Sequence, residues 1–213
     1  GLVGDDGKTH HGVLSVPMLM SIPNLTLLAP RDTRQIRQAV RATLKLDGPC
    51  VVQYPKEGIE PYAQNVTGEP FAVGKWQTLI PGGQDAVILA YGRMTQNAIQ
   101  ASELLVRRGL SVGVIDCCSL KPLDMDCLRA LFERKAKIVT IEEGEMIGGF
   151  GSEIARVCVE ENADAPVQII GLENRFITHG SVPELLRECG LMPEQLANRI
   201  EEIAGDKESS HVG

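Results

Sequence analysis

Short, continuous apolar runs alternate along this chain with stretches in which apolar residues recur every third or fourth position. Leu25-Thr26-Leu27-Leu28-Ala29 is the first such run, and Pro30 stops it, as expected of a buried strand. Asp32 and Gln35 have the spacing of a capping box. Behind them Ile36, Val40 and Leu44 recur every four residues, which predicts a helix with those three on its apolar face. Gly48-Pro49 ends that helix, and Cys50-Val51-Val52-Gln53-Tyr54 returns as a strand, so residues 24–54 predict one βαβ crossover.

Residues 56–75 are rich in Gly, Pro and polar side chains without a period, which predicts a passage to a second domain. There the alternation repeats. Strands are predicted over 85–91, 111–115, 138–142 and 167–172, and helices over 95–107, 124–134, 152–161, 181–188 and 193–203. Ser181 and Glu184 form a capping box with Pro183 in the first turn. Buried strands alternating with amphipathic helices specify a mainly parallel, doubly wound sheet covered on both faces. The expected organisation is α/β: a partial domain at 1–62, a linker at 63–75, a second domain at 76–205 and a disordered polar tail at 206–213. One crossover is too little to close a parallel sheet, so the first domain reads as a piece of something longer.

Composition narrows the classes without choosing among them. The 213 residues are 43% hydrophobic and 23% charged, an ordinary globular balance. The formal charge of -7 argues against nucleic acid or an anionic membrane as a partner. No apolar run approaches the length needed to cross a bilayer, and no signal peptide is visible, which points to the cytoplasm. Cys50, Cys117, Cys118, Cys127, Cys158 and Cys189 form no C-x-x-C pair and read as reduced, mostly buried thiols. A vicinal Cys117-Cys118 metal or redox site is the alternative.

The segment with most chemistry is Asp6-Gly7-Lys8-Thr9-His10-His11-Gly12. A Gly-rich loop lets backbone approach a ligand closely, and an imidazole exchanges protons near neutral pH. A polar turn with exposed histidines fits the same residues. Gly148-Gly149-Phe150-Gly151 lacks the third glycine of G-x-G-x-x-G, because Ile154 stands there; close helix-to-strand packing is favoured over a phosphate cradle. Glu142-Glu143 ends a strand where open α/β sheets bind ligands, and its role stays open. His179 reads as structural, Lys121 as a loop residue, and Trp76 as a lone aromatic beside the linker.

Several strings together resemble the transketolase superfamily. Asp6-Gly7-Lys8-Thr9-His10 is similar to its D-G-x-T-H substrate loop. Ile22-Pro23-Asn24, Ala29-Pro30-Arg31-Asp32, Asp47-Gly48-Pro49 and Tyr54-Pro55-Lys56 look like segments of its deoxyxylulose-phosphate synthase branch. So do Ser119 to Asp124, Glu142-Glu143-Gly144, Gly148 to Ser152 and Phe176-Ile177-Thr178-His179-Gly180. Transketolases proper usually carry Pro where this chain has Gly12, and they lack the Tyr-Pro-Lys/Arg segment.

The resemblance implies a partial transketolase pyrimidine-binding domain followed by the transketolase C-terminal domain. It implies condensation of pyruvate with D-glyceraldehyde 3-phosphate, with thiamine diphosphate and Mg2+ held by the amino-terminal half of the enzyme, and a homodimer. By position, His10 matches the family histidine that binds and protonates substrate oxygens. Asp6 matches an aspartate near the acceptor's hydroxyls, and Lys56 falls where an arginine grips the acceptor's phosphate. Lysine lacks arginine's planar fork, so that anchor is altered. Ser15 replaces a common aspartate, and His11 a common glutamine without an assigned role. The G-D-G…N motif for the diphosphate and metal does not occur, so this chain alone is expected to bind the cofactor weakly or not at all and to make no product. The alternatives are a non-catalytic ligand-binding or dimerisation module on the same fold, and the carboxy-terminal part of a transketolase.

Overall fold

The computed structural model describes residues 1–56 and 71–205. In the first domain, β1 (Thr26–Leu28) and β2 (Cys50–Val52) pair in parallel, joined by α2 (Thr33–Thr43), the expected crossover. Asp32 caps α2 by accepting from the Gln35 amide at 2.7 Å. The reciprocal half of the capping box is diverted: Gln35 Oε1 accepts from the Arg31 amide, and its Nε2 donates to Asp116 at 2.6 Å.

That diversion overturns the predicted face. The buried residues of α2 are Gln35 and Ala39, whereas Val40 is 46% and Leu44 83% exposed. The four-residue apolar repeat is real, but the polar grip on Asp116 turns α2 by its other side. A helix absent from the predicted elements precedes β1. Ser15–Met20 form α1, with Pro17 in the first turn, where its missing N–H costs no helical bond.

The second domain carries β3 (Gln77–Ile80), β4 (Ala86–Ala90), α3 (Met94–Arg107), β5 (Val112–Asp116), β6 (Ser119–Lys121), α4 (Met125–Glu133), β7 (Ile138–Glu145), α5 (Phe150–Glu160), β8 (Val167–Leu172), α6 (Val182–Glu188) and α7 (Pro193–Gly205). Its sheet order is β3-β5-β4-β7-β8, parallel except for β3. The doubly wound, mainly parallel expectation holds, with β3 as an added antiparallel edge. Two apolar clusters cover the sheet, one with Met94, Leu105, Leu185 and Ile200, the other with Leu128, Phe150 and Ile154. Trp76 is core, 6% exposed, its indole donating to Ser119 O at 2.8 Å.

β6 pairs not with this sheet but with β1, antiparallel, giving the first domain a sheet of order β2-β1-β6. Lys121 is therefore a strand residue and not a loop residue. Its Nζ donates to the carbonyls of Met20 at 2.8 Å and Ile22 at 2.5 Å, fastening the end of α1. The predicted tail at 206–213, and most of the predicted linker at 63–75, lie outside the described residues.

All six cysteines are free, and Cys117 and Cys118 are buried, with burial raising both thiols. Among the described residues no group of three or more His, Cys, Asp or Glu could hold a metal ion, and no helix is long and apolar enough to cross a membrane.

Candidate functional site

The Gly-rich loop is shaped by its contact with the second domain. Gly7 opens a single 3-10 turn (Gly7–Thr9) at a φ of +65°, a left-handed conformation that favours glycine. A Cβ there would lie 3.3 Å from His179 Cβ, so the loop rests directly on the segment around residue 179. His11, to which the sequence assigned nothing, ties the two together. Its Nδ1 accepts from the Val3 amide at 3.1 Å, and its Nε2 lies 3.0 Å from Thr178 O. A carbonyl only accepts, so Nε2 carries the proton and the ring is neutral with both nitrogens used. His11 and His179 thus shape the loop, and nothing in their spacing distinguishes His11 from its neighbour.

His10 is exposed. Its Nδ1 lies 2.9 Å from Thr9 Oγ1, and the ring is not sealed in an apolar interior. Asp6 is also exposed and accepts from Lys56 Nζ at 2.8 Å, across fifty positions of sequence. The ammonium beside it, by hydrogen bond and then by charge, holds the Asp6 carboxyl below its usual range, with smaller contributions from His10 and His11. The three residues singled out by sequence therefore meet electrostatically: an imidazole, a carboxylate and an ammonium open to solvent near the domain junction. Such a set can hydrogen-bond hydroxyls, exchange a proton with an oxygen and attract an anion. It offers no cage for a diphosphate and its cation, so these residues do not by themselves fit that group.

The remaining candidates resolve into structure. Both oxygens of Glu142 accept from the first amides of α5, Phe150 N at 3.0 Å and Gly151 N at 2.9 Å. The helix end that might have cradled a phosphate is already filled by this carboxylate. Burial nevertheless pushes the Glu142 carboxyl up to about 7, against those two amides. Gly151 is required by close packing, since a Cβ there would collide with Thr140 Oγ1 and the side chain of Ile169. Glu143 turns the other way and accepts from the Leu2 amide at 2.7 Å. A cavity of about 190 Å³ opens beside the loop, lined by residues including Lys8, His11, Glu145, Arg175 and Phe176.

Residues 74–196 match the family described as "Transketolase, C-terminal domain", and residues 1–60 match "Transketolase, pyrimidine binding domain". A 1-deoxy-D-xylulose-5-phosphate synthase of Thermus thermophilus is 38% identical over 94% of this chain and 31% of its own length. That of Bacillus velezensis is 36% identical over 100% of this chain and 34% of its own. The chain thus spans about a third of the length of these curated relatives. A solved split-gene transketolase, described as an inactive β4 tetramer, superposes with a TM-score of 0.81 at 27% identity, covering 94% of this chain and 64% of that one. Campylobacter jejuni transketolase, at 19% identity, a TM-score of 0.74 and coverage of 94% and 29%, shares the fold.

Proposed function

The chain belongs to the transketolase family, and on that premise we propose that it forms the acceptor-handling part of a 1-deoxy-D-xylulose-5-phosphate synthase. The reaction in this reading joins pyruvate and D-glyceraldehyde 3-phosphate with loss of CO2. Thiamine diphosphate and Mg2+ are held by a further domain, and the protein works as a cytoplasmic homodimer. The name shared by the curated relatives supports the reaction. The observation that carries the reading is the contact of Asp6, on the loop that bears His10, with Lys56, which follows β2.

In this reading each residue acts through what it can donate or accept. Asp6, ionised, accepts from the acceptor's hydroxyls. Lys56 neutralises charge at the acceptor's phosphate end, with its ammonium shared between that group and Asp6. His10 delivers a proton to, or removes one from, a substrate oxygen, for which an exposed imidazole is suited. The Gly7 turn and His11 hold the loop in place while this happens.

The 213 residues alone are expected to bind the cofactor weakly and to make no product. The solved split-gene protein, inactive by its own description, supports that expectation by its similarity. The test is an assay of the intact protein with pyruvate and D-glyceraldehyde 3-phosphate, following CO2 release and deoxyxylulose phosphate. Ketol transfer between sugar phosphates without use of pyruvate would make it a transketolase instead. Neither activity, with cofactor present, would leave a binding module.

A further inference from the structure

The loop that bears His10 rests on the carboxyl ends of two neighbouring strands of the second domain. On the β8 side His11 Nε2 meets Thr178 O, and on the β7 side Val13 O accepts from the Glu145 amide at 3.0 Å. Pro17 of α1 lies beside the same turn, its Cβ 3.7 Å from where a Cβ on Gly148 would stand. The turn over 145–149 is therefore the seat on the β7 side, and its shape sets where Val13, three residues after His10, is held.

Glu142 governs that shape. It is fully buried, and its two oxygens take the amides of Phe150 and Gly151, which pins the far end of the turn back onto β7. The space around the carboxylate exists because side chains are missing. A Cβ on Gly149 would lie 2.5 Å from Glu142 Oε2, and one on Gly171 2.9 Å from its Cγ. Gly144 stands between the carboxylate and the first domain: a Cβ there would lie 3.5 Å from Glu142 Oε2 and 3.4 Å from Val13 O. One residue of backbone thus separates Glu142 from the carbonyl that seats the loop. A Ser or Asp at the N-cap would satisfy the end of α5 without burying a charge, but that position is Gly149. What the strand-borne carboxylate adds over such a local cap is a fixed link between β7 and the turn.

We propose that Glu142 is a positioning residue: through the turn over 145–149 it sets the place of Val13, and thereby of His10 against the substrate. For the part played by His10 the proposal rests on the functional reading above. The seat itself does not depend on that reading.

A double-mutant cycle on the intact enzyme tests the link to His10. Glu142→Gln keeps the side chain's volume but turns an NH2 group toward one of the two amides, which loses its bond. It should lower kcat/KM about tenfold, the scale of one lost hydrogen bond to a charged group. In a His10→Ala background the same change should cost about threefold or less, because the group it places is gone. Equal losses in the two backgrounds would overturn the proposal and leave Glu142 a purely structural residue. Hydrogen exchange reads the seat separately. In the wild type the Glu145 amide should exchange as slowly as amides in the middle of β7. In Glu142→Gln it should exchange about tenfold faster or more, while amides of α7 keep their rates. A fast Glu145 amide in the wild type, or one unmoved by the substitution, would overturn the seat whatever the kinetics. If the intact protein makes no deoxyxylulose phosphate, the functional reading fails and the role of Glu142 in catalysis with it, while the exchange rates still decide the seat.

Discussion

Lys56 Nζ lies 2.8 Å from Asp6 Oδ2, a contact between the Gly-rich loop and the segment that follows β2. Both side chains are open to water, 62% and 43% exposed, so the pair contributes little to stability. Its effect falls on titration. The folded carboxyl sits below the ordinary value, so whatever it adds to stability is present above that value and is lost as pH falls through the folded one. Lys56→Met should move the Asp6 midpoint upward in carbon-13 NMR, and Lys56→Arg should not. An unmoved midpoint in Lys56→Met would mean that the ammonium is not its cause.

Glu142 gives the opposite sign. Its folded carboxyl is raised to about 7 from 4.5, so its contribution to stability is full below about pH 4.5 and is lost as pH rises through about 7. Glu142→Gln should flatten that part of the stability profile, measured by urea unfolding across the window. Glu142→Ala should do more harm at any pH. It strands two buried amides at roughly 1–3 kcal/mol each, a loss of several kcal/mol.

Asp116 is fully buried and receives Arg31, Gln35 and Thr95. Burial raises its carboxyl, and Arg31 is the leading opposing influence. Arg31→Met leaves the carboxylate without its cation and is expected to cost about 3–5 kcal/mol in chemical denaturation. Asp116→Asn added to it should recover part of that loss, because the uncompensated charge is then gone. Additive losses would show that the two residues do not act as a pair.

The adjacent histidines should separate cleanly. His10→Ala removes an exposed ring, so melting should hardly change while turnover of the intact enzyme falls about 10²–10⁴-fold, the usual span for an acid–base group. His11→Ala breaks the links to Val3 and Thr178, so melting should drop, with KM rising as the loop loses its seat. Wild-type turnover in His10→Ala would remove that residue from the site.

Local signals are legible in the sequence. The Asp32 cap, the Ser181–Glu184 box and the continuous apolar runs of β4, β5, β7 and β8 are each encoded within a few residues. The failures share a cause. The face of α2 is set by Gln35 reaching Asp116, eighty-one positions away. β6 has three residues and takes its partner from another domain, and α1 carries a proline in its first turn, within an apolar string lacking a period. In the site, resemblance points to Asp6, His10 and Lys56, but no spacing announces that His11 is a brace.

The strand Ser119–Lys121 lies in one domain by sequence and in the other by hydrogen bonding. Swinging the domains apart would first require unzipping that ladder from Leu27 and Leu28, so access to the junction falls to loops and side chains rather than to a clam-shell motion. It also orders assembly. The earlier sheet stays one strand short until the chain has been made past residue 121, and the two halves are expected to melt as one cooperative unit.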